Sequence, residues 1–272
     1  MSVIPKLPPA PRNLPSFSFR EFMLDCKSAL DNRNYLFLLV GYLFLGATIG
    51  TRVTLEMHLY NYFWQLLPAQ IRYFPLMGII ASILGFMITA PLHQRYDKKP
   101  VLISCMVIAL TFLITPTLLR LMGFFPENNT YFLLPILLSS YLVAITAAVV
   151  GMISTMSALA DIADEQELQT HRRQEGTLYA ARAFFGKASS GLGHLFAGIA
   201  IDIIAFPVGT EPGTVDADTL FKLGLVDGPI AVIPGIIAIF FYGQYSLTRT
   251  RHAEIQATLN QRNGAPEPVF TN

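Results

Sequence analysis

The chain has 272 residues, of which 53% are hydrophobic and only 14% charged, with a mean hydropathy of +0.47. A soluble domain carries about 25% charged residues, so the deficit excludes a water-covered surface, and a net charge of +1 excludes nucleic acid as the main partner. Its two cysteines, Cys26 in a polar segment and Cys105 in an apolar one, predict neither a disulfide nor a cysteine metal site.

The amino terminus, MSVIPKLPPAPRNLPSF, is proline-rich and lacks the apolar stretch of a signal peptide. Residues 1–33 read as a cytoplasmic arm, and its second part, SFSFREFMLDCKSALDNR, has the apolar spacing of a helix lying on a membrane surface. A bilayer crossing takes about 20 apolar residues in a helix. Six segments qualify, at 34–58, 72–92, 100–122, 131–160, 176–206 and 228–247, and the long fourth and fifth are expected to tilt or to extend beyond the lipid. The tail 249–272 begins as a polar helix, RTRHAEIQATLNQR, and ends in a Pro-containing stretch with the composition of disorder.

Lysines and arginines orient these spans. With both termini cytoplasmic, 13 of the 19 fall on the inner side and three (Arg72, Arg120, Lys222) on the outer, as the positive-inside rule requires. Tyr60, Tyr62, Phe63 and Trp64 then close the first span as an outer aromatic belt. The fold expected is an all-α membrane protein of six transmembrane helices. Asn128-Asn129-Thr130 matches a glycosylation sequon in a short outer-side loop.

Charge inside the spans carries the functional signal. Lys187 lies near the middle of the fifth span, about 16 Å from its inner end at 1.5 Å per residue. A lysine at that depth normally faces a protein interior or a watery path. His194, seven positions on, returns to nearly the same face, so Lys187, His194 and Tyr179 are candidates for a substrate cavity. Arg182, about 9 Å deep, can snorkel back to the inner headgroups. Beside this stripe Ser189, Gly193 and Ala197 form a small-residue row suited to close helix packing. Lys187 held in a structural ion pair is the competing reading.

Between the fourth and fifth spans, ADIADEQELQTHRRQEG packs acids around Arg172 and Arg173. Asp161, Asp164, Arg172, Arg173, Glu175 and Arg182 form a candidate cytoplasmic gate or charge network, because acids at a helix C-terminus oppose its dipole and need another reason to be there. A solvated loop with incidental pairs is the alternative. Arg95, Asp97, Lys98 and Lys99 form a charged hinge between the second and third spans. Arg52 and Glu56, spaced i,i+4, are expected to pair in the outer third of the first span. Neither zinc spacing, a phosphate-binding glycine loop nor a nucleophile elbow occurs, so enzymatic chemistry is not expected.

The six-span layout, the RYDKKP hinge and above all ADIADEQELQTHRRQEGTLYAARAFFGKASSGLG resemble the major facilitator superfamily. The nearest likeness is to the glycoside–pentoside–hexuronide:cation symporter family, which includes the melibiose carrier. The likeness covers residues 16–260 and only the carboxyl-terminal six-helix half of such a carrier; members have about twelve helices in two halves, with substrate between them near the midplane. It implies that the lysine matching Lys187 contributes to the polar central cavity, and that the carboxylates binding the coupling cation, Na+ or H+, lie mainly on the half this chain lacks. It implies no other cofactor.

The function expected is half of a cation-coupled symporter for a sugar, glycoside or related small solute. Its partners would be the bilayer of a bacterial inner or plasma membrane, a small polar solute, and an amino-terminal half or a second copy. The rivals are a non-transporting remnant or membrane scaffold, and a carrier of a lipid-like amphiphile.

Overall fold

A computed structural model describes residues 27–172, 174–207 and 209–262, and every regular element in them is helical. After a short helical turn at 27–31, α1 (Arg33–His58) runs on into a π-helical turn, Leu59–Phe63. A single turn, Pro68–Ile71, leads into α2 (Tyr73–Arg95), followed by α3 (Lys98–Leu121), α4 (Leu133–Thr170) and α5 (Glu175–Ile203). The helix α6 (Ala217–Gly243) contains a second π-helical turn at Val226–Ile230, and α7 is Arg249–Arg262.

Local chemistry sets the ends. The Asn32 side chain accepts the Tyr35 N–H at 3.1 Å and caps α1. Asp216 caps α6 by accepting from Thr219 N–H at 2.9 Å, and that bond holds its carboxyl below the usual carboxylate range. At the end of α3, Gly123 (φ 79°) closes a Schellman turn: Phe124 N–H returns to Leu119 O and Gly123 N–H to Arg120 O.

Five helices are long and apolar enough to cross a membrane: α1 with its π turn, α2 with its leading turn, α3, α4 and α6. At 29 residues α5 has the length but stands outside this set, since Arg182, Lys187, His194 and several small polar residues dilute its apolar run. The α4 helix spans 38 residues, about 57 Å, against a hydrocarbon layer of about 30 Å. It therefore continues through Asp161 and Asp164, where the sequence suggested a loop, and stops at His171, a left-handed residue (φ 55°). Similarly α6 starts at Ala217, well before residue 228.

The helices form two groups. α1 packs most widely on α5 and α6, while α4 packs on α2 and α3; α3 also meets α6. The α1–α5 seam is close because the small-residue row lies in it. The Ser189 hydroxyl donates to Leu43 O, Thr51 donates to Gly193 O at 3.1 Å, and a Cβ on Gly50 would fall 2.3 Å from Ser190 O. Away from the helix packing, α2 exposes Leu76, Ile79, Ile83, Phe86 and Met87, a surface suited to lipid and not to water.

The aromatic residues closing α1 do not form an outward belt. Tyr60, Phe63 and Trp64 are buried in a core cluster with Phe74 and Leu133, and Phe125 packs against it. The π turn accounts for this, since an extra residue in one turn rotates the residues after it inward. The sequon asparagine is engaged within the protein: Asn128 donates to Phe63 O at 3.0 Å and accepts from Arg120 at 2.7 Å.

Candidate functional site

A cavity of about 430 Å³ lies between the two helix groups, lined mainly by α1, α3 and α4, with Arg182 of α5 and Asp227 of α6 in its wall. Its middle is apolar, with Leu45, Met106, Leu113, Ile145 and Met152 on its sides. Charge stands at both ends.

At one end Arg52 and Glu56 line the cavity, but they do not pair with each other as the i,i+4 spacing suggested. The Arg52 guanidinium donates to Asp227 O at 2.7 Å, and the same nitrogen lies 2.9 Å from Asp227 Oδ2. The aligned bond goes to the carbonyl, so the carboxylate is held by charge. Asp227 is 1% exposed; a carboxylate buried that deeply needs the arginine beside it as counter-charge. Glu56 instead accepts from the Tyr60 hydroxyl at 2.7 Å. Asp227 went unnoticed in the sequence, although an acid beside Gly228-Pro229 in an apolar run was the available signal. The π turn around it, with Pro229 lacking an N–H, sets its carbonyl and carboxylate toward α1.

At the other end stands Arg182. It neither snorkels nor joins the cytoplasmic network: only 9% exposed, its guanidinium lies over the Tyr42 ring, 4.1 Å from the centroid. Cation–π stacking suits a desolvated arginine. The Tyr42 ring sits where it does because Gly186 leaves room; a Cβ there would meet it at 2.5 Å.

Lys187 lies outside this cavity. It is exposed on α5, on a surface that also exposes Phe184, Leu192 and Leu195. His194 is likewise exposed and tied to α1, its Nδ1 2.7 Å from Thr54 Oγ1 and its Nε2 3.2 Å from Ser190 Oγ. Tyr179 is half-buried against the core cluster that holds Tyr35, Leu178 and Tyr242. The structure therefore does not gather these three around one pocket.

The acids at the end of α4 find partners that sequence proximity did not indicate. The Lys98 ammonium, from the α2–α3 hinge, donates to both oxygens of Asp161 at 2.6 and 2.7 Å. His252 Nε2 of α7 lies 2.8 Å from Asp164 and 3.3 Å from Asp161. Arg262 reaches Glu167 at 3.0 Å, and Asn32 and Asn34 donate to Glu165. Arg249 of α7 donates to the carbonyls of His93, Gln94 and Tyr96. The polar tail helix is thus a strap, with Ile255 and Leu259 buried beneath it. Arg172 and Glu175 flank the α4–α5 turn; Arg173, Cys26 and most of the amino-terminal arm lie outside the described residues. No group of acids, histidines or cysteines among the described residues is arranged to hold a metal.

No curated protein matches this chain. A family model described as MFS/sugar transport protein matches residues 8–249. With the apolar helices, that match makes this an integral membrane protein working on a small solute in a lipid bilayer, and a transporter in place of an enzyme. The chain belongs to the MFS/sugar transport protein family of the major facilitator superfamily.

Proposed function

We propose that the chain is one six-helix half of a cation-coupled symporter for a sugar, glycoside or related small solute. It corresponds to the carboxyl-terminal half of a melibiose carrier-like protein, in a bacterial inner or plasma membrane with both termini cytoplasmic. The α5 helix completes the six spans because its polar side meets a second half and not lipid. Alternating access arises when this half rocks against an amino-terminal half or a second copy. The coupling cation, Na+ or H+, binds mainly on that other half.

One observation supports this most. Lys187 stands exposed at mid-helix among apolar neighbours, with no ion-pair or hydrogen-bond partner among the described residues. A charge at that depth is costly in lipid, and a facing half or a passing solute relieves the cost. Lys187 is then one wall of the shared path, with His194 and Tyr179 as lesser contributors. Asp161 and Asp164, with Arg172, Arg173 and Glu175, form the inner gate, and Lys98 and His252 hold it shut.

The test is uptake of labelled disaccharides and hexuronides by cells making this chain with and without a co-expressed amino-terminal half. Uptake should require the pair and fall at least tenfold in Lys187→Ala. An active pair indifferent to Lys187→Ala sinks the assignment.

A further inference from the structure

A second cavity, of about 440 Å³, lies where the start of α1, the end of α4 and the segment after α6 meet. It differs in kind from the apolar one, since Phe37 is the one nonpolar side chain in its lining. Hydrogen bonds across the three elements fix its walls. Asn34 Oδ1 accepts from both the N–H and the hydroxyl of Ser246 at 3.0 Å, while its Nδ2 donates to Glu165 at 3.0 Å. Asn32, only 6% exposed, donates to Glu165 at 3.2 Å and to Gln166 at 3.3 Å. Partners so distant in the chain are brought together by the fold, so the pocket is formed before any ligand arrives.

Its rim is built differently. Gln169 and Gln244 line the pocket, are exposed, and their side chains form no hydrogen bond with any described residue. Two carboxamides thus keep all their donors and acceptors available. An apolar ligand would strip water from them without replacing it. An anion would meet the charge of Glu165, because Asp31 and Arg33 on the rim offset one another. An ammonium would find Glu165 already engaged, both its oxygens accepting from Asn34 at 3.4 and 3.0 Å. A hydroxyl donates and accepts at once, which matches a carboxamide's C=O and NH2. Phe37, half-buried and 6.5 Å from the Phe241 ring, offers an apolar surface to the C–H face of a sugar ring.

We propose that this pocket binds a neutral sugar or polyol, its hydroxyls on the Gln169 and Gln244 carboxamides and its C–H face on Phe37. That the ligand comes from the cytoplasm rests on the orientation proposed above. The binding itself goes beyond the transport reading, because it needs neither a second half nor Lys187. Internal sugar would therefore occupy this chain at a place apart from the transport path.

The full chain in lipid nanodiscs is titrated with glucose, maltose and myo-inositol, and with glucuronate and spermidine as charged counterparts, by saturation-transfer NMR. Saturable binding of at least one neutral probe is expected, with glucuronate and spermidine at least fivefold weaker. The double variant Gln169→Leu, Gln244→Leu should bind that probe at least tenfold more weakly with an unchanged melting temperature, since both side chains are exposed and unpartnered. Lys187→Ala should bind it within twofold of the parent.

Four results overturn the proposal: no saturable binding of any neutral probe, equal binding of glucuronate or spermidine, unchanged binding in the double variant, or loss of binding in Lys187→Ala, which would put the sugar on the transport path. If the double variant does not fold, the single Gln244→Glu carries the test: an added negative charge on the rim should weaken binding of the neutral probe several-fold, and unchanged binding overturns the assignment. Uptake by the paired halves tests the transport reading alone, so the two fail separately.

Discussion

The end of the bundle where α4 meets α7 and the α2–α3 hinge treats charge in the opposite way to the bundle's middle. At that end Asp161, Asp164, Glu165 and Glu167 each have a partner on another element. In the middle, Arg182 and Lys187 lie five residues apart on one helix and neither has an ion-pair partner among the described residues. The first arrangement is what stability alone would select. The second persists only if something outside the described contacts interacts with those cations.

The comparison breaks most readily at Asp161. Asp161→Ala leaves the Lys98 ammonium without a counter-charge in a mostly buried setting and should cost about 3 kcal/mol, read as a lower melting temperature in detergent. Asp227→Ala takes away the counter-charge of Arg52, leaving only the residue-227 carbonyl as its acceptor, and should cost about 2 kcal/mol. His252→Ala removes one link of the α7 strap, worth about 1 kcal/mol, and should speed proteolysis after Gly243 more than it lowers the midpoint. Lys187→Ala sharpens the contrast: stability should change by less than about 0.5 kcal/mol while uptake by the paired halves collapses.

The smallest effect belongs to the α6 cap. Because the Asp216 carboxyl is depressed in the folded chain, its contribution is fully present above the unfolded carboxylate value and is lost as pH falls through the lower folded value. Asp216→Ala should therefore melt slightly below the parent at pH 7, and the gap should close in strong acid.

Much of the architecture was legible because membrane helices announce themselves by length and apolarity, and the strap was legible as RTRHAEIQATLNQR, the same 14 residues that form α7. Ends were less legible. ADIADEQELQT is rich in the helix formers Ala, Glu, Gln and Leu, which favours a continuing helix, but the stop is a backbone conformation at His171 that composition does not announce. Pairing was least legible. Spacing joins Arg52 to Glu56, whereas the partner in space is 175 residues away. Arg182 read as a snorkelling residue on depth alone; that Tyr42 and Gly186 build a platform for it is a property of the α1–α5 seam, which no single helix encodes.

The π turn at Leu59–Phe63 has a further consequence for how this chain can vary. The extra residue in that turn decides which way Phe63 and Trp64 point. Removing one residue would restore ordinary helical geometry and swing everything beyond it by about 100°, turning the aromatic cluster from core to surface. Many side-chain substitutions in this stretch can be absorbed by repacking, but a change of length cannot. What the stretch must preserve is its count of residues, more than the identity of any one of them.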